Sequence, residues 1–160
     1  MAFVKKKQYL SKKEAFLKAG NFCAYQERTQ QEVKDKLIYE YGQTADEADE
    51  IVSDLIEQNF INEERFAKAF AGGKFRMKKW GRIKIEHELK QRGLSAYCIR
   101  QGLKEISEAD YLQTLYQLIE KKEKTITLEN PLLRQQKLAR FALTKGYEND
   151  LVWKVLKDFE

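Results

Sequence analysis

The chain of 160 residues carries 30 basic and 25 acidic side chains, a net charge of +5, with a hydrophobic fraction of 42% and a charged fraction of 34%. No run approaches the roughly 18 apolar residues of a membrane-spanning helix, and no apolar segment follows the basic start as in a secretory signal. One proline and eight glycines leave few breakers, which favours helices over a β-sandwich or disorder. Cys23 and Cys98 have no CxxC partner, which predicts reduced thiols and no zinc site. We expect a cytoplasmic, mostly helical protein that needs no cofactor or metal.

Capping motifs mark the predicted helices in chain order. Three pairs have the spacing of a capping box, in which a hydroxyl and a carboxylate satisfy backbone N–H groups at a helix start: Ser11 with Glu14, Thr29 with Glu32, and Thr44 with Glu47. Further N-cap candidates are Asn62, Ser95, Ser107, Asn130 and Asn149, and Pro131 suits a first helical position. The pattern predicts nine helices and no strand, at about 12–26, 30–41, 45–58, 63–79, 82–92, 96–105, 108–123, 131–145 and 150–158.

Three glycines divide these helices into three similar groups. Gly42, Gly93 and Gly146 each follow a helical pattern, suit the left-handed position after a helix, and lie 51 and 53 residues apart. Apolar pairs one helical turn apart precede and follow each of them. A period near 50 indicates a tandem helical array in which neighbouring units share core. We therefore predict an all-α protein of three tandem three-helix repeats forming an elongated, curved array, with a basic arm at 1–10 and repeats at 11–59, 60–106 and 107–160.

The charge is segregated along the chain. The first 18 residues have a net charge of +5, residues 40–64 carry nine acids and no base, and residues 74–92 have a net charge of +6. Such blocks could present one face to a polyanion and another to a protein, or they could be ordinary solvated helix faces.

The second group of helices contains sequence motifs that resemble those of a known protein family. The chain reads Phe60-Ile61-Asn62-Glu63-Glu64-Arg65-Phe66-Ala67 and, after the basic stretch, Gly81-Arg82-Ile83-Lys84-Ile85-Glu86-His87-Glu88-Leu89-Lys90-Gln91-Arg92-Gly93-Leu94. With Glu27-Arg28-Thr29 and the later Gly42, this resembles the RecX family, the bacterial regulators of the RecA recombinase. The resemblance covers about residues 11–158. Two acids are usual where this chain has Asn62-Glu63, serine is usual at Thr29, and the third repeat matches least well.

The resemblance implies a non-enzymatic regulator that binds the RecA filament on single-stranded DNA and inhibits its ATPase and strand exchange. It would thereby modulate DNA repair, homologous recombination and the SOS response, without a membrane partner and as a monomer. The family motif also suggests structural roles for Arg28, Arg65, Phe66, Gly81 and Gly93. We expect Arg28 to brace a turn, and Arg65 to pair with an acid such as Glu57 or Asp54.

The basic stretch is the predicted contact with DNA or with the RecA filament. Its candidates are Lys74, Arg76, Lys78, Lys79, Arg82, Lys84, Lys90 and Arg92. Cations around a turn, with Phe75 and Trp80 between them, suit phosphates plus one stacking surface, although both rings could instead be core. A secondary arm of Lys5, Lys6, Lys7, Lys12 and Lys13 is either a flexible polyanion contact or a solubilising tail.

Two other functions remain open at this point. A stand-alone helical nucleic-acid-binding module would rest on the helix from Arg82 to Arg92 and would not need RecA. A helical-repeat scaffold would not involve nucleic acid at all. An enzyme is not predicted, because His87 is the only histidine and the chain has neither GxxxxGK[ST] nor GxGxxG.

Overall fold

The computed structural model describes residues 6–127 and 129–160 as nine α-helices and one short 3₁₀ turn. The helices are α1 (Lys12–Tyr25), α2 (Gln30–Tyr39), α3 (Ala45–Glu57), α4 (Glu63–Lys78), α5 (Arg82–Gln91), α6 (Ala96–Leu103), α7 (Glu108–Glu123), α8 (Pro131–Thr144) and α9 (Asn149–Leu156). The 3₁₀ turn is Lys157–Phe159, and these described residues contain no strand. The predicted all-α class is confirmed, and each helix begins and ends within two residues of its prediction.

Side-chain caps explain where the helices begin. Thr29 and Thr44 form complete capping boxes with Glu32 and Glu47, whereas Ser11 only accepts from the backbone N–H of Glu14. Hydrogen bonds from the first turn also reach the predicted caps Asn62, Ser95, Ser107 and Asn130. The prediction for Asn149 is wrong. Glu148 is the N-cap of α9 and makes no side-chain cap, and Asn149 Oδ1 accepts from Trp153 Nε1 at 3.2 Å rather than from a backbone N–H of the first turn.

Loss of the α2 cap should be measurable. Thr29 is 1% exposed, and its hydroxyl accepts from Glu32 N at 3.1 Å. We expect Thr29→Ala to lower the free energy of unfolding by about 1 kcal/mol in urea titrations, because a backbone donor loses its acceptor. Ser53→Ala, at an exposed position inside α3, is the control and should be neutral or slightly stabilising. Equal effects of the two substitutions would contradict this role of the cap.

The chain separates into two compact units. The first comprises Met1–Phe66 with Arg92–Leu94, and its helices α1, α2 and α3 pack against one another. Val33, Leu37, Ile51 and Leu55 are fully buried at the centre of this core. These residues recur at helical spacing on α2 and α3, so the local amphipathic pattern is sufficient to build the core.

The second unit comprises Ala67–Gln91 with Ser95–Glu160. Here α5 packs against α6, and α7, α8 and α9 pack against one another. Gly102 of α6 lies so close to α4 that an added Cβ would be 2.7 Å from Ala67 O. Three rings connect the helices of this unit: Phe75 stacks on Tyr111 with centroids 5.9 Å apart, and Tyr111 packs on Tyr147 at 4.9 Å.

The three glycines that divide the groups have the predicted conformation. Gly42, Gly93 and Gly146 have φ of 70°, 80° and 101°, the region that side chains with a Cβ rarely adopt. Gly42 also allows a close approach, because a Cβ there would be 2.4 Å from Gln8 O. Gly93 and Gly146 occupy the predicted position, two residues after the last residues of α5 and α8, whereas Gly42 lies three residues after Tyr39, the last residue of α2.

Candidate nucleic-acid interface

The turn between α4 and α5 lies in the second unit and is held by backbone contacts from the end of α8. Gly81 N donates to Lys145 O at 2.8 Å, and Ile83 N donates to Gly146 O at 2.9 Å. Tyr147 Oη donates to Lys79 O at 2.9 Å. Backbone N–H groups at the start of α5, which have no partner within that helix, thus donate to carbonyls that follow α8. These hydrogen bonds hold the basic turn in place.

Trp80, in this turn, has lysine ammonium groups close to its ring. Lys74 Nζ lies 5.1 Å and Lys84 Nζ 4.6 Å from the ring centroid. The indole packs against Phe70 in an edge-to-face arrangement, with centroids 6.3 Å apart and planes at 64°, and Trp80 is half-buried. The ring is therefore partly core and partly accessible, with two cations near it. Phe75 is 8% exposed and belongs to the core, so it offers no stacking surface.

Arg82 is engaged inside the second unit. Its guanidinium donates to Glu108 at 2.6 Å and to Glu148 at 2.9 Å, and lies 3.9 Å from the centroid of Tyr111. Burial lowers the pKa of Arg82, but the two carboxylates outweigh it and leave that pKa raised. Tyr111 Oη accepts from Arg82 N at 3.0 Å and donates to Glu148. Burial and this bond to Glu148 raise the pKa of Tyr111. Arg82 thus connects the start of α5 to the starts of α7 and α9, and its positive charge is already balanced by carboxylates.

The other candidates of the basic stretch lie in different surroundings. Arg76, Lys78 and Lys79 are exposed at the end of α4, and Lys90 pairs with Glu86 at 3.0 Å on α5. Arg92 is half-buried and belongs to the first unit. Of the eight candidates, the structure therefore brings Lys74 and Lys84 together around Trp80.

Four cations that the sequence analysis did not single out lie with Lys84 along a cleft of the second unit: Lys122, Lys137, Arg140 and Lys145. A sequence signal for them exists. Lys137, Arg140 and Lys145 fall at positions i, i+3 and i+8 of α8 and its C-cap, which places them on one helical face.

The N-terminal arm is only partly described, since Lys5 lies outside the described residues. Lys6 and Lys13 are exposed, Lys7 lies 5.4 Å from the Tyr9 ring centroid, and Lys12 is ion-paired with Glu50. The described part of the arm is not a free tail. Gln8 N donates to Glu40 O at 2.7 Å, and Leu10 N donates to Tyr41 O at 3.1 Å.

The family-motif residues of the first unit make internal contacts. Arg65 pairs with Glu27 and donates to the carbonyls of Asn59 and Phe60 at 3.1 and 3.3 Å. The expected partner, Glu57 or Asp54, was wrong, because the guanidinium reaches the turn after α1 rather than α3. Arg28 Nε donates to Phe22 O at 3.1 Å, and its guanidinium lies 3.7 Å from the Phe22 centroid.

Phe66 and Gly93 occupy contrasting positions. Phe66 is 7% exposed in α4, whereas an alanine Cβ at Gly93 would meet nothing within 4 Å. The conformation of Gly93, with its φ of 80°, is therefore what requires glycine there.

Family models match two segments of the chain. Residues 62–103 match the second three-helix domain of RecX, and residues 108–156 match its third three-helix domain. Together these segments cover more than half of the sequence. The chain belongs to the RecX family. The three-helix organisation predicted for this part is the organisation of RecX.

Curated RecX proteins of bacilli resemble the chain over most of its length. It is 28% identical to the "Regulatory protein RecX" of Bacillus cytotoxicus and 29% identical to that of Bacillus cereus, each over 147 residues. These alignments cover 91% of this chain and 54% of each relative. The chain thus spans about half the length of the curated RecX proteins it matches.

Two RecX crystal structures share the fold. RecX from Lactobacillus salivarius superposes with a TM-score of 0.80 at 23% identity, covering 92% of this chain and 95% of that one. A second structure of the regulatory protein RecX gives 0.82 at 21% identity, covering 92% and 71%.

Two kinds of structural feature are absent from residues 6–127 and 129–160. This part of the RecX-family chain contains no group of three His, Cys, Asp or Glu side chains arranged to hold a metal ion. None of its helices combines the length and the apolar character required to cross a bilayer.

Proposed function

We propose that this protein is a regulator that binds the RecA filament on single-stranded DNA and inhibits RecA ATPase and strand exchange, thereby modulating recombination and DNA repair. Its membership of the RecX family, carried by the matches over 62–103 and 108–156, is the observation on which this function depends. The relatives are named regulatory proteins. The role on RecA is what the family resemblance implies.

The second unit offers chemistry suited to the DNA in such a filament. Lys74 and Lys84 lie near a partly accessible indole, so a phosphate and a neighbouring base could be engaged together. Contacts of this type need no particular base sequence, because the cations meet the backbone and any base can stack. A regulator that acts along a filament requires this indifference to sequence.

The first unit offers a face for the protein component. Helix α3 carries exposed carboxylates at Asp46, Asp54 and Glu57, while its buried side is apolar. An exposed acidic face complements a basic or mixed protein surface and repels DNA. We assign the acidic face of α3 to a protein contact and the Trp80 region to DNA.

The decisive experiment is a titration of RecA ATPase on single-stranded DNA. We expect inhibition at less than one molecule of this protein per several RecA subunits, since a filament regulator acts on many subunits at once. A Lys74→Gln, Lys84→Gln variant should need a higher concentration, and Lys90→Gln is the control because Lys90 is paired with Glu86. Tight binding to naked DNA without substoichiometric inhibition would favour a nucleic-acid-binding module that does not depend on RecA.

A further inference from the structure

A basic cleft of about 460 Å³ lies among α5, α7 and α8 in the second unit. Five of its lining residues are cations, and no carboxylate lines it. The lining is Lys84, Lys122, Lys137, Arg140, Phe141, Thr144 and Lys145. Its volume falls within the range of pockets that bind small ligands or short polymer segments.

The cleft is built on one face of α8. Lys137, Arg140, Phe141, Thr144 and Lys145 follow the spacing i, i+3, i+4, i+7 and i+8, while Leu138, Ala139 and Ala142 fill the buried side of that helix. Lys122 Nζ lies 5.1 Å from the centroid of Phe141, which places a cation from α7 over the ring. Cations from α5, α7 and α8 therefore line one cleft, while each of these helices also has apolar residues buried in the core.

The charge of the cleft is not compensated. Within residues 6–127 and 129–160, none of its five cations forms an ion pair. Elsewhere in the described chain, cations with a carboxylate within 4.0 Å are common: Lys12, Lys34, Lys36, Arg65, Arg82, Lys90, Lys124 and Arg134. Like charges gathered without counter-charges raise the local potential and attract a multivalent anion.

Lys84 connects the cleft to the Trp80 ring. It lines the cleft, and its ammonium lies 4.6 Å from the centroid of that ring. A strand that stacked a base on Trp80 could continue with its phosphates between Lys84 and α8. The cleft, of about 460 Å³, is too small for a duplex, which is wide enough to take an α-helix into its major groove, but the backbone of a single strand could enter it.

We propose that this cleft binds the phosphodiester backbone of single-stranded DNA, so that the third three-helix domain supplies four of the phosphate contacts. The choice of DNA as the anion rests on the proposed function. The cleft itself rests on the geometry of Lys122, Lys137, Arg140 and Lys145. Lys74 and Lys84 bring the number of contacting cations to six.

The test is the salt dependence of binding to a labelled oligothymidylate, measured by fluorescence anisotropy without RecA. Six phosphate contacts predict a log–log slope of about −4, from roughly −0.7 per contact. A Lys137→Gln, Arg140→Gln variant should reduce the slope to about −3 and the affinity about 20-fold at 0.1 M salt. Both side chains are exposed, so the fold should be retained, which circular dichroism and thermal melting will verify.

The control removes the same charge outside the cleft. Lys121 adjoins Lys122 on α7 but is not among the cleft residues, and Lys154 lies exposed on α9. Lys121→Gln, Lys154→Gln should leave the slope near that of the parent protein. The proposal would be overturned if both variants lost the same amount of slope and affinity, or if the Lys137→Gln, Arg140→Gln variant lost neither.

Two further outcomes separate the proposals. If the cleft variant binds DNA normally but loses binding to polyglutamate, the ligand is an acidic protein segment and the DNA assignment is wrong. If the slope changes as expected while the parent protein fails to inhibit RecA ATPase, the cleft stands and the proposed function fails.

Discussion

Substitution of Gly81 by alanine should lower the free energy of unfolding by about 3 kcal/mol or more, because the added methyl group has no room to move into. A Cβ at this position would lie 2.2 Å from the carbonyl carbon of Gly146, 2.3 Å from its oxygen and 2.4 Å from Tyr147 N. All three are backbone atoms, so no side-chain rotation relieves the clash. The two segments would have to separate.

That separation would break the support of the basic turn. The hydrogen bonds Gly81 N to Lys145 O and Ile83 N to Gly146 O bridge these same segments. Gly146 is equally constrained, since its own Cβ would lie 2.4 Å from Lys84 Cβ. We therefore expect Gly81→Ala to lower the stability of the protein and also to weaken DNA binding, because Lys84 would be displaced from its position beside Gly146.

Gly73→Ala is the matched control for this substitution. Gly73 lies inside α4, and an added Cβ would meet nothing within 4 Å. Alanine should there raise the free energy of unfolding by about 0.5–1 kcal/mol, because it restricts the unfolded chain and favours the helix. The measurement is urea unfolding followed by circular dichroism. A loss below about 1 kcal/mol for Gly81→Ala would show that the segments can part easily.

The helices could be predicted because their determinants are local. A cap such as Thr29 and its partner Glu32 are three residues apart, and each left-handed glycine lies two or three residues after the end of its own helix. Asn149 failed as a cap for an equally local reason. Its side chain has an alternative partner in Trp153, one helical turn away.

The candidate site depends instead on contacts between distant segments. Arg82 belongs to a run of cations in the sequence, but its two carboxylates are 26 and 66 residues away. The run of cations in the sequence therefore could not show that the charge of Arg82 is balanced by carboxylates. The cleft combines Lys84 and Lys122 with α8, and they become neighbours because α7 packs on α8 and the start of α5 is hydrogen-bonded to the residues after α8. Charge patterning thus predicted a basic region, but not which of its cations are paired with carboxylates and which line the cleft.

Removal of the Glu148 side chain should cost about 2–3 kcal/mol of unfolding free energy, because Arg82 Nη1 and the Tyr111 hydroxyl, both partly buried donors, lose the acceptor that they share. Glu148 accepts from Arg82 Nη1 at 2.9 Å and from the Tyr111 hydroxyl. Glu148 makes no side-chain cap on α9, so the loss in Glu148→Ala cannot come from capping. Glu148→Gln retains an acceptor and should lose about half as much.

Glu108→Ala provides the comparison, because Glu108 binds the same guanidinium but its side chain is 88% exposed. Solvent screens such a pair, so we expect a change within about 0.5 kcal/mol. A double-mutant cycle between Glu148→Ala and Tyr111→Phe should give a coupling of about 1 kcal/mol, since the two groups share a hydrogen bond. If Glu148→Ala changed the free energy of unfolding as little as Glu108→Ala, within about 0.5 kcal/mol, the contacts of Arg82 with both carboxylates would be weak. Arg82 could then be released to bind phosphate at little cost, and it would rejoin Lys74 and Lys84 as a candidate DNA contact.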